Sequence, residues 1–263
     1  MKRWLSPLLL TLLLAACAQP PATPPQPEAA SGYTAKPGWS FGRLAVAAAN
    51  PLATEAGARV LREGGSAVDA AIAVQMVLTL VEPQSSGIGV GAFLLHWDGR
   101  RVQAFDGRET APAAVDERLF LDAQGQPMPF AQAVASGRSV GVPGTVAMLA
   151  LAHRQHGRLP WARLFQPAID LAERGFPVSP RLHTLLAAEQ ALPADPVARA
   201  YFYRADGTPH PVGHALRNPE LAAVLGEERQ WLREVLFAGW TGGDLRNAWI
   251  DLLEAVRSIG DDA

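Results

Sequence analysis

Cysteine is nearly absent: Cys17 is the only one in 263 residues, and a lone thiol makes no internal disulfide. The fold does not depend on such staples, because a chain of this length buries most of its unfolded surface on its own. Lysine is equally scarce, confined to Lys2 and Lys36, so the positive charge is almost all arginine. No dense basic run occurs, and 23 Lys+Arg against 25 Asp+Glu leave a net charge of −2. That balance excludes the electrostatic footprint of a nucleic-acid binder. Repeats of fixed period are missing too. With 49% hydrophobic and 18% charged residues, collagen, coiled coil and wholesale disorder are excluded. A globular chain with one large core or two small ones is left.

The first segment reads as an address. Lys2 and Arg3 precede the apolar run from Leu5 to Ala16, the pattern of a secretory signal. The run falls short of the ~20 residues that a spanning helix requires. Its ending, Leu14-Ala15-Ala16-Cys17, resembles the lipobox of bacterial lipoproteins, which implies cleavage after residue 16 and lipid on Cys17. Cleavage would remove Lys2 and Arg3 and no acid, taking the net charge from −2 to −4. Residues 18–32 carry five prolines and nothing to pack, so they read as a stiff, extended tether. Residues 1–16 are thus expected to be a signal peptide and 17–42 an anchor and tether. Ala18 after the cysteine resembles lipoproteins sorted to an outer membrane, which places the body in the periplasm.

The body alternates strand and helix signals. Arg43 to Ala49 has the length and apolarity of a strand. Asn50-Pro51 caps and starts a helix that Gly64-Gly65 ends. Ser66, with Asp69 three residues on, caps a second helix, apolar almost all round from Ala67 to Val81 and stopped by Pro83. Phe93 to Trp97 and Val102 to Phe105 are strands joined across Asp98-Gly99, a hairpin signal. The second half is helical: Thr145 to His156, Pro160 to Phe165, Pro167 to Arg174, and Arg181 to Gln190, with Gly157 and Gly175 as stops.

Three places look suited to chemistry. Pro83 to Gly91 (PQSSGIGVG) has alternating glycines that allow close backbone approach. It lacks the lysine of a phosphate loop, and it follows a helix and opens a strand, the reverse of a dinucleotide fingerprint. Asp106 to Pro112 (DGRETAP) puts Arg108 after a glycine, where its planar fork either grips a carboxylate or pairs with Glu109 or Asp106. Val140 to Gly144 (VGVPG) feeds a helix N-terminus, which either binds an anion or simply packs. The histidines offer little. His153 and His156 lack a nearby carboxylate ligand, and Pro211 and Gly213 break any helix joining His210 to His214, so no metal site is expected. Ser85-Ser86 has no assignable base, and no Gly-x-Ser-x-Gly elbow occurs.

Taken in order, Asn50-Pro51-Leu52-Ala53, Gly57 to Asp69 (GARVLREGGSAVD), Glu82 to Gly89 (EPQSSGIG), Asp106 to Pro112, Val140 to Gly144 and Ala172 to Pro180 (AERGFPVSP) resemble the γ-glutamyltransferases (γ-glutamyltranspeptidases, glutathione hydrolases). The likeness spans roughly residues 43–225, and Val90 replaces a glycine usual in that family's loop. It implies an α+β fold of the N-terminal-nucleophile hydrolase type, an αββα sandwich, here with the large-subunit portion alone. It also implies self-cleavage into two subunits and attack on the γ-glutamyl amide by the small subunit's leading threonine, which joins a hydroxyl nucleophile to an amine base. The acyl group then passes to water, an amino acid or a peptide. No metal or organic cofactor is implied. Arg108 matches the family's arginine that holds the donor's α-carboxylate.

From Gly226 to Ala263 the likeness fades into a divergent tail that reads as two helices around Thr241-Gly242-Gly243, the second with Trp249, Leu252, Leu253 and Val256 on one face. The residues after Thr241 do not match the family's cleavage site. The expectation is therefore an envelope-anchored chain that binds a γ-glutamyl donor such as glutathione, needs a separately encoded small subunit, and is inactive alone. The competing reading is a non-catalytic lipoprotein that binds a glutamyl-type ligand or a partner protein.

Overall fold

Two capped helices begin the body of the protein. The computed structural model describes residues 38, 40–113 and 115–227. The signal peptide, Cys17, nearly all of the tether, and the tail from residue 228 with Thr241 and Trp249 lie outside the described residues. From Ser40 onward the described chain belongs to one compact unit.

Helix α1, Pro51–Arg62, starts where Asn50 Oδ1 accepts the Leu52 amide at 3.0 Å and proline takes the first turn, a position that needs no N–H. It stops at Gly64, whose φ of +91° suits only glycine. Helix α2, Ala67–Val81, opens with the reciprocal capping box expected of Ser66 and Asp69. Ser66 Oγ accepts the Asp69 amide at 3.1 Å, and Asp69 Oδ2 accepts the Ser66 amide at 2.8 Å. Because α2 is apolar almost all round, it is the centre of the fold: Ile72, Ala73, Met76 and Val77 are wholly buried. Each large side chain buried this way stabilises by about 1.5–3 kcal/mol. A methyl group at Gly57 would lie 2.7 Å from Val74 Cγ2, so α1 and α2 cross more closely than alanine allows.

Helices α4, Thr145–His156, and α5, Trp161–Arg174, pack on α2 through Val146 and Leu149, and through Leu164, Phe165 and Ala168. The short α3, Phe130–Ala135, lies within a mostly exposed excursion between residues 111 and 141 and buries none of its residues. After α5 come the two-residue strand β3, Phe176–Pro177, then α6, Pro180–Ala188, and α7, Pro196–Phe202. A partner strand for β3, Ala215–Leu216, and helical residues 219–227 end the described chain. The hairpin strands are β1, Ala92–Trp97, and β2, Val102–Gly107, antiparallel and registered from Ala92↔Gly107 to Trp97↔Val102. Asp98 shapes the turn by accepting the amides of Arg100 and Arg101 at 2.8 and 2.9 Å. Those backbone hydrogen bonds, that of Arg101 foremost, hold its carboxyl below the ordinary carboxylate range. Helices and short antiparallel sheets in separate stretches make the chain α+β, helix-rich in its second half.

Two expectations are corrected. Residues 43–49 form no strand, because no neighbouring chain among the described residues pairs with them. Exposure alternates only from Ala45 to Ala49, so apolarity and length were present without the ladder that defines a strand. The two short helices expected at 160–165 and 167–174 are one helix that runs through Pro167. An interior proline costs about 3 kcal/mol; here its ring is buried, as are Leu164, Phe165 and Ala168 around it, and that burial offsets the lost hydrogen bond.

Burial also marks Tyr201 on α7. It pushes the phenol up to about 12, with a hydrogen bond from Asn218 opposing the rise and Glu220 adding to it. The folded state therefore keeps this proton above the ordinary value near 10, a contribution to stability that is complete below pH 10 and lost as pH rises toward 12. Phenolate absorbance of the wild-type chain minus that of Tyr201→Phe is expected to titrate near 12; a difference curve centred near 10 would refute the burial argument.

Candidate substrate-binding site

The three segments singled out by sequence meet at one end of the hairpin. The glycine loop between α2 and β1 is tied back to α2 by Gln75, whose amide nitrogen donates to Ser86 Oγ at 2.8 Å and to the Gly87 carbonyl at 3.2 Å. The Val90 carbonyl then accepts the Gly144 amide at 3.3 Å, the Thr145 amide at 3.1 Å and the Thr145 hydroxyl at 2.7 Å. The N-terminus of α4 thus spends its first donors on the glycine loop. It packs, and the anion-binding alternative for residues 140–144 does not arise from those groups.

Between these loops runs the segment after β2. Thr110 and Val142 exchange backbone hydrogen bonds of 3.2 and 2.8 Å in an isolated bridge. Two glycines make the approach close enough. A methyl on Gly107 would lie 2.5 Å from Met148 Cβ and 2.9 Å from the Gly144 carbonyl, and one on Gly91 would overlap Glu109. The backbone of residues 107–109 is therefore clasped from both sides, while the Arg108 side chain stands 63% exposed. Asp106 Oδ1 accepts the Arg108 amide at 2.9 Å, fixing the direction in which the side chain leaves.

The guanidinium Nη1 rests on Glu109 Oε1 at 2.5 Å. An exposed pair of this kind is worth only about 0–1 kcal/mol, so it does not commit the arginine. The other carboxylate oxygen, Glu109 Oε2, is buried with no hydrogen-bond partner. The arrangement can hold Arg108 in a waiting pose and release its fork to a ligand carboxylate, which gives two parallel charge-assisted hydrogen bonds.

The remaining candidates do not join this site. Ser86 is occupied by Gln75, and Ser85 is exposed. His153 Nε2 faces the Leu159 carbonyl at 2.9 Å, with Asp69 Oδ1 at 3.5 Å. His156 stacks on His96, and His210 on His214, each pair with ring centroids 3.9 Å apart. Burial, followed by the nearby charges of His214 and Arg204, holds the His210 imidazole below its ordinary value. Among the described residues no three His, Cys, Asp or Glu side chains are placed to hold a metal ion.

Two buried acids, one at each end of α2, carry structural weight that the sequence did not reveal. Glu82, 2% exposed, ends α2 at the root of the glycine loop. It receives Asn50 Nδ2 at 3.3 Å, Gln84 Nε2 at 2.6 Å and, as an ion pair, Arg181 Nε at 3.2 Å. Asp69, besides its capping role, accepts the amides of Arg158 and Leu159 at 2.9 and 3.1 Å. The one signal for Glu82 was its position, an acid directly after a fifteen-residue apolar helix; nothing in the sequence announced Asp69's partners, 89 and 90 residues away.

Other proteins resemble this chain in sequence and in fold. The chain is 40% identical over 179 residues to the glutathione hydrolase proenzyme of Bacillus subtilis, covering 67% of this chain and 30% of that protein. It is 42% identical over 184 residues to glutathione hydrolase 3 of Arabidopsis thaliana, covering 68% and 28%. The crystal structure of Helicobacter pylori gamma-glutamyltranspeptidase superposes with a TM-score of 0.70 at 31% identity, covering 75% of this chain and 57% of that one. The chain thus spans about 30% of the length of the curated relatives it matches, and its α+β fold is of the N-terminal-nucleophile hydrolase type. With the gamma-glutamyltranspeptidase sequence profile matching residues 53–249, this protein belongs to the gamma-glutamyltranspeptidase family.

Proposed function

We propose that this chain supplies the donor-binding part of an enzyme that cleaves γ-glutamyl compounds such as glutathione, with Arg108 gripping the donor's free α-carboxylate. The observation that carries the reading is the clasp itself. Three separate segments fix the backbone at residues 107–109 while leaving the guanidinium exposed and weakly paired. A donor carboxylate displaces Glu109 from the fork, and the γ-amide is then held at a set distance from the clamp. Positioning of this kind turns an encounter into a near-unimolecular reaction.

We place these residues in the large-subunit portion, with the nucleophilic threonine on a small subunit outside the 263 residues. The outer face of the hairpin supports this reading. Phe93, Leu95, Trp97 and Val102 are 68, 74, 60 and 63% exposed on one side of β1 and β2, an apolar patch that favours being covered by further polypeptide. The acyl group leaves the donor for the threonine oxygen and passes to water or an amine, steps in which Arg108 holds and orients but transfers nothing. We also infer that Cys17 carries lipid and that the body is held on the periplasmic side of an outer membrane. Among the described residues no helix is long and apolar enough to cross a membrane.

The test has two parts. The pure chain is expected to bind glutathione in calorimetry yet release no chromophore from a γ-glutamyl anilide, and co-expression with a threonine-led small subunit is expected to restore release. Arg108→Lys keeps the charge but loses the fork, and is expected to weaken donor binding roughly 100-fold. Turnover by the pure chain overturns the division of labour, and unchanged glutathione binding by Arg108→Lys overturns the clamp.

A further inference from the structure

At the end of the hairpin remote from Arg108 lies an open cavity of about 680 Å³. It is walled by the chain entering at residue 43, the start of α2, the hairpin turn and the end of α4. Its lining includes Arg43, Arg158, His96, His156, Ser66 and Asp98. The two guanidinium groups come from distant segments, and neither has a carboxylate partner among the described residues. Arg62, Arg118, Arg163 and Arg174, by contrast, each sit on an acid.

The acids nearby form no ion pair with them. Asp98 is taken by the amides of Arg100 and Arg101 and by the Arg101 side chain at 3.5 Å. Asp69, beneath Ser66 and Arg158, accepts the amides of Ser66, Arg158 and Leu159 through Oδ2, and its Oδ1 lies 3.5 Å from His153 Nε2. His156 Nε2 meets Gln103 Oε1 at 2.9 Å, while the imidazole of its stacked neighbour His96 makes no hydrogen bond among the described residues.

We propose that this cavity binds a phosphoryl group. Arginines from two separate elements line the cavity together with a serine and two histidines, and their donors outnumber the two in-plane oxygens of a carboxylate. They match a tetrahedral oxyanion, whose oxygens point several ways and whose charge repays two arginines. The cavity is also larger than an inorganic phosphate, leaving room for the organic part of a phosphate ester. Such an ester is either a soluble metabolite or the headgroup of a phospholipid. The site does not involve Arg108 and stands apart from the proposed donor clamp.

The experiment uses the full chain carrying Cys17→Ser, so that no acyl anchor contributes, and titrates inorganic phosphate and glycerol 1-phosphate by calorimetry at low ionic strength. Binding is expected, weakened at least tenfold in Arg43→Gln/Arg158→Gln. It should hold within twofold in Arg59→Gln/Arg154→Gln, which removes the same charge from exposed positions outside the cavity. Arg108→Gln is expected to bind phosphate as the wild type does. Capture on phosphatidylglycerol but not phosphatidylcholine vesicles, lost in Arg43→Gln/Arg158→Gln, would name the lipid headgroup as the source. Phosphate binding without vesicle capture would name a soluble ester. No heat with either phosphate, or equal weakening in the two double variants, overturns the proposal.

Discussion

Replacing Glu82 with alanine is expected to destabilise the fold by about 3–5 kcal/mol, the cost of breaking a buried ion pair by removing one partner. For an ordered region of this size that is a drop in melting temperature of roughly 10 °C. Three partners converge on this one carboxylate, which is 2% exposed. Without it, the buried amide of Asn50 and the half-buried guanidinium of Arg181 lose their acceptor, whereas the exposed Gln84 can turn to water. Asn50 caps α1 and Arg181 lies in the first turn of α6, so the damage reaches both helices as well as the root of the glycine loop. Glu82→Gln is the informative contrast. It keeps the shape and an acceptor for Asn50 but removes the charge facing Arg181, and is expected to cost about 1–2 kcal/mol. Equal losses for the two variants, measured by denaturant unfolding, would show that packing rather than the polar network matters there.

Asp69→Ala is expected to cost a similar amount, about 3–5 kcal/mol. About 1 kcal/mol comes from the capping box, and the rest from two charge-assisted hydrogen bonds. Its distinguishing consequence is spatial. Asp69 Oδ2 is the acceptor for the amides of Arg158 and Leu159, so amide exchange there should accelerate along with that at Ser66, while exchange in α7 follows only the global loss. Asp69→Asn keeps one acceptor oxygen and should recover more than half of the stability. Protection at residues 158 and 159 unchanged in Asp69→Ala would mean that the strap is held by other contacts. Leu159 also presents its carbonyl to His153 at 2.9 Å, a contact that the alanine variant leaves in place and that limits how far the strap moves.

What the chain showed as a string of letters was whatever closes within three or four residues. Asn50 with Pro51, Ser66 with Asp69, Gly64 after α1 and Gly157 after α4 all satisfy their partners locally, so their meaning survives without the rest of the molecule. The all-round apolarity of Ala67–Val81 was equally legible, since a helix without a polar face has nowhere to lie except the centre. Arg43 to Ala49 misled because strand letters name a tendency and pairing is supplied by another segment. Pro167 misled for the opposite reason: its local penalty is real, but buried packing along α5 outweighs it.

The site divides along the same line. Arg108 and the glycine, DGRETAP and VGVPG strings could be picked out by their letters. That Val90, Gly107 and Gly144 interlock, that Glu109 holds the guanidinium at the surface, and that Glu82 and Asp69 anchor the two ends of α2 are facts of tertiary structure. The physical reason is range. Capping and turn energies are set by neighbours in sequence, whereas a clasp of three loops or a buried carboxylate with partners up to 99 residues apart exists only once the hydrophobic core has fixed where distant backbone lies. The sequence by itself determined the capped helices, the buried α2 and the arginine worth testing; the folded chain alone decided what that arginine rests on and what keeps it there.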